Sequence, residues 1–261
     1  VRIPASSCGL FGFKPTRARL PDGPFVGEGW AGMAIDGFLT RSVRDTARML
    51  DACHGPDLGA PYVAPPLRTS HADAISRPPR RLKVAICDTT FTGGPIHPEV
   101  AEAVRATGRL LESLGHHVDI AAPKLDMAAI GQASFVLIAS AVAADIEDRA
   151  KLLGITAGPD VLEPITLGFH GYGKTLSGMD VARANNVLQT AAISMAQFMA
   201  DYDVILSPTL AAPPLKLGQI NLTPGVDLPT WGARAATFSP YTQIANMTGQ
   251  PSMSLPLAMS K

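Results

Sequence analysis

The chain has 261 residues, 46% of them hydrophobic and 17% charged, which suits a compact core and excludes a disordered or fibrous segment. Lys and Arg total 22 and Asp and Glu total 22, so no basic excess marks a nucleic-acid or anionic-membrane partner, and a neutral small molecule is the better fit. Three cysteines (Cys8, Cys53 and Cys87) stand far apart among small or apolar residues. That pattern reads as reduced thiols in a cytoplasmic protein rather than a disulfide framework.

The opening, VRIPASSCGLFGFKPTR, reads as strand and turn, because Pro15 pushes Lys14 toward extended geometry. It lacks the charged-then-apolar layout of a signal peptide. Residues 20–37 carry five glycines and two prolines. A loop of that length suits a pocket wall, with Phe25 and Trp30 as its aromatic candidates. Ser42 followed by Asp45 forms a capping box, and Val43, Ala47 and Leu50 recur at helical spacing, so a helix should run to near Gly55. Residues 56–80 are a Pro-rich connection. Leu82–Cys87 reads as a buried strand, Pro98 opens a helix carrying Val100, Val104, Leu111 and Leu114, and His116–Ile120 is a second strand. The short crossover predicts parallel pairing of the two.

The uncharged run Met127–Ala144 has the length of a marginal membrane span, but Gln132, Ser134 and Ser140 interrupt it. It reads as part of a core helix over about 127–152, with no membrane involved. Ser177 with Asp180 caps another helix over 178–200, followed by a short strand at Val204–Ser207. Residues 210–230 read as loop, 233–247 as helix or turn, and Ser252–Leu255 as a last strand. The alternation predicts an α/β fold, with a mixed, largely parallel β-sheet flanked by helices and all four strands in one sheet. Residues 1–261 read as one domain, truncated at both ends. The chain opens inside an apolar segment and stops at Ser260-Lys261 just after a strand-like run.

No G-x-S-x-G elbow, H-E-x-x-H or C-x-x-C occurs. Of the six histidines only His116 and His117 are adjacent, and neighbours on a strand face opposite ways, so neither metal nor cofactor is expected.

Four stretches carry a family resemblance. In the opening segment Arg2, Pro4, Ala5, Cys8, Gly9, Gly12, Lys14, Pro15 and Thr16 match the text that directly follows the nucleophile in the amidase-signature serine hydrolases. GFLTRSVRDTARMLDACHG (37–55), DVILSPT (203–209) and ANMTGQPSMSLPLA (245–258) resemble later segments of that family, in the same order. Phe38 departs from it, standing where the family commonly has proline.

The resemblance implies amide hydrolysis through a Ser–cis-Ser–Lys triad and an acyl-enzyme. Serine alone is a weak nucleophile; a lysine kept neutral by desolvation can take its proton, with the second serine as relay. Backbone N–H groups of the glycine turn before the nucleophile would hold the oxyanion. The resemblance places the nucleophile directly before Val1, with the lysine and relay serine further upstream. No triad member then lies in this chain, and residues 1–261 alone are expected to be inactive. Lys14 is the family's K-P-T lysine rather than the base, and Ser6 and Ser7 pack a tight turn.

Active-site support is expected from Arg2, Cys8 and Lys14. Arg2 should pair with a buried carboxylate from upstream or from a neighbouring loop, with Val1 and Ile3 in the core. Ile138 and Asn246 join Phe25 and Trp30 as pocket candidates. The implied partner is a small-molecule amide, and a homodimer is left open. Two other readings stay open: a glutaminase-type subunit of a tRNA-dependent amidotransferase, and a catalytically dead homologue serving as a binding or scaffold protein.

Overall fold

In the computed structural model, which describes residues 1–24, 26–220 and 225–260, the opening residues are helical rather than extended. Helix α1 (Arg2–Ser7) has Val1 as its N-cap, and Ala5 N–H donates to the Val1 carbonyl at 3.1 Å. Pro4 is tolerated because the first turn of a helix has no internal partner for its N–H in any case. The influence of Pro15 is confined to its immediate neighbour: strand β1 (Phe11–Lys14) ends on Lys14. A side chain on Gly12 would place its Cβ 2.5 Å from that of Ala5, so β1 can run beneath α1 only because residue 12 has none.

Strand β2 (Phe38–Thr40) pairs antiparallel with β1, Phe38 opposite Phe13. Ser42 then caps α2 (Val43–Cys53) as expected: its hydroxyl accepts from Asp45 N–H at 3.1 Å and donates to the Asp45 carboxylate at 2.8 Å. The Pro-rich connection contains a short helix, α3 (His71–Ala74), tied to α2 where Asp51 accepts from the N–H groups of His71 and Ala72.

Strand β3 (Lys83–Ile86), helix α4 (Pro98–Ser113) and strand β4 (His117–Ile120) form the expected parallel unit, with Val84 opposite Val118. The buried face of α4 is Ala101, Val104 and Gly108; Leu114, expected on it, is largely exposed.

The chain divides into two compact units, Val1–Leu125 with Ala192–Pro214 and Ser239–Lys261, and Asp126–Ala191 with Leu215–Phe238. The second is built on α5 (Met127–Leu153), capped by Asp126, and α6 (Pro164–Gly173), which opens on Pro164. By length and composition α5 is able to cross a membrane. Here Ile130, Ala133, Val136, Leu137, Ala139 and Ala143 are buried, and α6 packs against it through Phe135 with Phe169 and Tyr172. His170 and Lys174 both reach the Glu147 carboxylate, at 2.7 and 2.9 Å.

Helix α7 (Gly178–Phe198) begins at the expected capping box, in which Ser177 and Asp180 exchange hydrogen bonds, and it runs on into the first unit. Strand β5 (Val204–Leu206) joins β3 in parallel, giving the order β4-β3-β5. Helix α8 (Leu228–Phe238) belongs to the second unit, Phe169 meeting Trp231 edge-on at 6.3 Å. The helix or turn expected near 233–247 is therefore two helices, α8 and α9 (Ile244–Thr248).

The last strand, β6 (Ser252–Ser254), corrects the single-sheet expectation. It pairs antiparallel with β1, making a separate three-stranded sheet in the order β2-β1-β6. Ser-Met-Ser has no hydrophobic run that would seat it in a parallel sheet covered on both faces. Ser254 is instead buried and accepts from the Thr209 hydroxyl at 2.9 Å, just beyond β5.

Candidate active-site scaffold

Arg2 is the centre of the site in the first unit. A strand would have set Val1 and Ile3 on one face; the helix instead puts Arg2 and Ala5, three residues apart, on its inner face. Val1 and Ile3 are half-buried, and Arg2 is 7% exposed. Its guanidinium donates to the Thr242 carbonyl at 2.7 Å and to the Asn246 side-chain oxygen. The expected carboxylate is not among the described residues at Arg2; both acceptors there are neutral. Burial lowers its pKa to about 10, and its Nε has no partner among the described residues.

Asn246, near the middle of α9, is occupied at both ends. Its oxygen accepts from Arg2, while its Nδ2 donates to the Met33 carbonyl at 2.7 Å. Arg17, which the sequence reading did not single out, completes the network. Its Nε donates to the Gly32 carbonyl at 2.7 Å, and one Nη donates to the carbonyls of Asn246 and Met247 at 2.9 and 3.1 Å. The only local hint was a cation directly after the Lys14-Pro15-Thr16 corner; its acceptors lie up to 230 residues away.

Lys14 is 1% exposed and donates to the Pro15 carbonyl at 2.7 Å. Burial, then the charges of Arg2 and Arg17, lower its pKa to about 7. Three cationic side chains thus gather beneath α1, held by carbonyl oxygens. Cys8, expected to support the site, is the exposed C-cap of α1 with a free thiol.

The 20–37 loop meets this scaffold at residues 32 and 33. Trp30, Ala31 and Gly32 have φ of 50°, 52° and 74°, a left-handed run that non-glycine residues seldom adopt. Trp30 is 43% exposed while Met33 tucks inward at 4%. Phe25 lies outside the described residues. Ile138 is half-buried on α5 in the second unit. Among the described residues, no group of three His, Cys, Asp or Glu side chains is placed to hold a metal ion.

Arg2→Ala should lower stability by about 2–4 kcal/mol in denaturant unfolding, since it strands the Asn246 oxygen and the Thr242 carbonyl in a buried setting. A loss under about 1 kcal/mol would mean that those acceptors find water and that Arg2 is not the keystone.

The 6-aminohexanoate-cyclic-dimer hydrolase of Paenarthrobacter ureafaciens is 33% identical over 275 residues, an alignment covering 100% of this chain and 55% of the relative. A solved structure of 6-aminohexanoate cyclic dimer hydrolase complexed with substrate is similar with a TM-score of 0.87 at 33% identity, over 100% of this chain and 56% of that one. A bacterial aryl acylamidase of the amidase-signature enzymes reaches a TM-score of 0.81 at 20% identity, covering 100% of this chain and 54% of that one, and shares the fold. The chain spans about half the length of the curated relatives it matches. It matches the Amidase family from residue 1 to residue 261, so the α/β fold built on α1, Arg2 and Lys14 is that of an amidase-signature protein, and the chain belongs to the Amidase family.

Proposed function

We infer that the whole protein hydrolyses a C–N bond in a small amide through a Ser–cis-Ser–Lys triad, its nucleophilic serine lying directly before Val1. The placement of Arg2 carries this reading. It sits in the first turn of α1, buried and held to α9, so it would fix the segment on which the nucleophile rides. A preorganised nucleophile and oxyanion turn is what acyl transfer needs, since rate follows the fit of fixed dipoles to the tetrahedral intermediate. Lys14 is no base in this scheme: its Nζ is committed to the Pro15 carbonyl and closed to solvent.

Trp30 is the pocket-wall candidate of the first unit, and Ile138 is a candidate in the second. The substrate class is a linear or cyclic aliphatic amide, supported by the 33% identity to a cyclic-dimer hydrolase. That identity also favours hydrolysis over the glutaminase-subunit and scaffold readings. The reaction needs no cofactor, and the free thiols suit a cytoplasmic setting.

The test is hydrolysis of 6-aminohexanoate cyclic dimer and of simple linear amides. The full-length protein should turn over one of these, and Ser→Ala directly before Val1 should remove that activity by several orders of magnitude. Residues 1–261 alone should stay at background. A residue other than Ser, Cys or Thr in that position would leave the reading without its nucleophile.

A further inference from the structure

We propose that Asn246 is a positioning residue, tying the strained Trp30–Gly32 turn to the first turn of α1 and thereby setting substrate affinity more than turnover; this rests on the amide-hydrolase reading above. Three consecutive residues with positive φ, two of them not glycine, persist only where the surroundings over-determine the backbone. Local bonds close the turn: Gly32 N–H and Ala34 N–H both donate to the Gly29 carbonyl, at 3.0 and 3.1 Å. They do not fix where the turn sits. That is done by two adjacent carbonyls, Gly32 held by Arg17 and Met33 held by Asn246.

The chemistry of the two ends selects asparagine. Arg2 has only donors to offer, so the Asn246 atom facing it must be the oxygen; the Met33 carbonyl only accepts, so the atom facing it must be the amide nitrogen. Asn246 is thus a two-way connector between segments 244 and 213 residues away in sequence. Aspartate would satisfy Arg2 and fail Met33, and leucine would fail both. With Met33 buried and Trp30 43% exposed, the held turn leaves apolar surface of Trp30 open to solvent. Apolar surface of that kind suits the methylene stretch of an aliphatic amide.

The experiment compares Asn246→Asp and Asn246→Leu in the full-length enzyme. The protein is labelled with 5-fluorotryptophan, and the Trp30 resonance is assigned by its loss in Trp30→Phe. Asn246→Asp should keep the melting temperature, shift or broaden the Trp30 resonance, and raise KM about fivefold, the size of one lost hydrogen bond, with kcat within about twofold. Asn246→Leu should show the same Trp30 change and also lose melting temperature and kcat, because Arg2 is released. Arg17→Lys, which loses its aligned hold on Gly32, should move the same resonance. An Asn246→Asp enzyme with wild-type KM and an unmoved Trp30 resonance overturns the proposal. So does an equal fall in melting temperature for both variants with Trp30 unmoved, which would make Asn246 merely structural. If the wild-type enzyme hydrolyses no amide, the functional reading fails, while the Trp30 resonance still decides whether the tether exists.

Discussion

Replacing Gly173 by valine should destabilise the protein by at least about 3 kcal/mol, the upper end of what overpacking usually costs. Gly173 is the last residue of α6, where that helix crosses α5. Even the first added atom has no room: a Cβ there would stand 2.1 Å from the Ala139 carbonyl oxygen and 2.6 Å from the Ala143 Cβ. The oxygen belongs to the backbone of a 27-residue helix and cannot swing aside as a flexible side chain does. The only relief is to separate α6 from α5, which pulls on the 2.7 Å contact from His170 to Glu147 and on the tilted ring contact of Phe135 with Phe169.

Gly173→Ala should already show much of the loss. Gly171, on the same helix, has nothing within 4 Å of its would-be Cβ. Gly171→Ala should therefore be neutral or gain up to about 1 kcal/mol from helix propensity. Denaturant midpoints of the three variants check this. Equal behaviour of the two alanine variants would mean that the helices do not approach so closely.

Lys14 should make stability rise with pH between about 7 and about 10. Its folded-state pKa of about 7 lies below the ordinary lysine value of roughly 10.4. Through that window the unfolded chain still binds the proton that the folded chain has released. An unfolded state holding more protons is disfavoured as pH rises, so folding gains. Below pH about 7 both states are charged and the full penalty of burying the ammonium is present; above about 10.5 both are neutral and it is gone.

At 1.36 kcal/mol per pKa unit, the swing is on the order of 3–5 kcal/mol. Lys14→Met keeps the length and removes the charge. Against the wild type it should be more stable at pH 6 by about 2–4 kcal/mol, after about 1 kcal/mol for the lost bond to the Pro15 carbonyl. That advantage should vanish by about pH 10. Urea unfolding at pH 6, 8 and 10 reads the difference directly. Parallel curves for the two proteins would place the titration elsewhere. A carboxylate brought near Arg2 and Lys14 by another part of the protein would raise the lysine pKa and flatten the wild-type slope. The same titration therefore measures whether the three cations are neutralised.

Much of the architecture was legible because its signals are local. Ser42 with Asp45, Ser177 with Asp180, and Pro98 at a helix start each act within one turn, where a side chain and the nearest free N–H settle the outcome. The β3-α4-β4 unit was legible for a related reason, since a short crossover between apolar runs leaves one handed solution. The family resemblance located Arg2, Lys14 and Asn246 as residues of interest without saying what they touch.

Partners distant in sequence were decided only by the tertiary structure. Whether Val1–Ser7 is strand or helix depended on β1 passing beneath it at Gly12, a contact that no propensity encodes. Ser252–Ser254 was readable as a strand, but its sheet was chosen by β1 and Thr209. Arg2 finds its acceptors 240 and 244 residues away, and Lys14 loses its proton affinity through burial and through two arginines that converge only on folding. Charge, capping and periodicity belong to neighbours along the chain. Burial, and the pairing of one polar group with another across hundreds of residues, belong to the packed core, where the penalty for an unsatisfied group decides which arrangement survives.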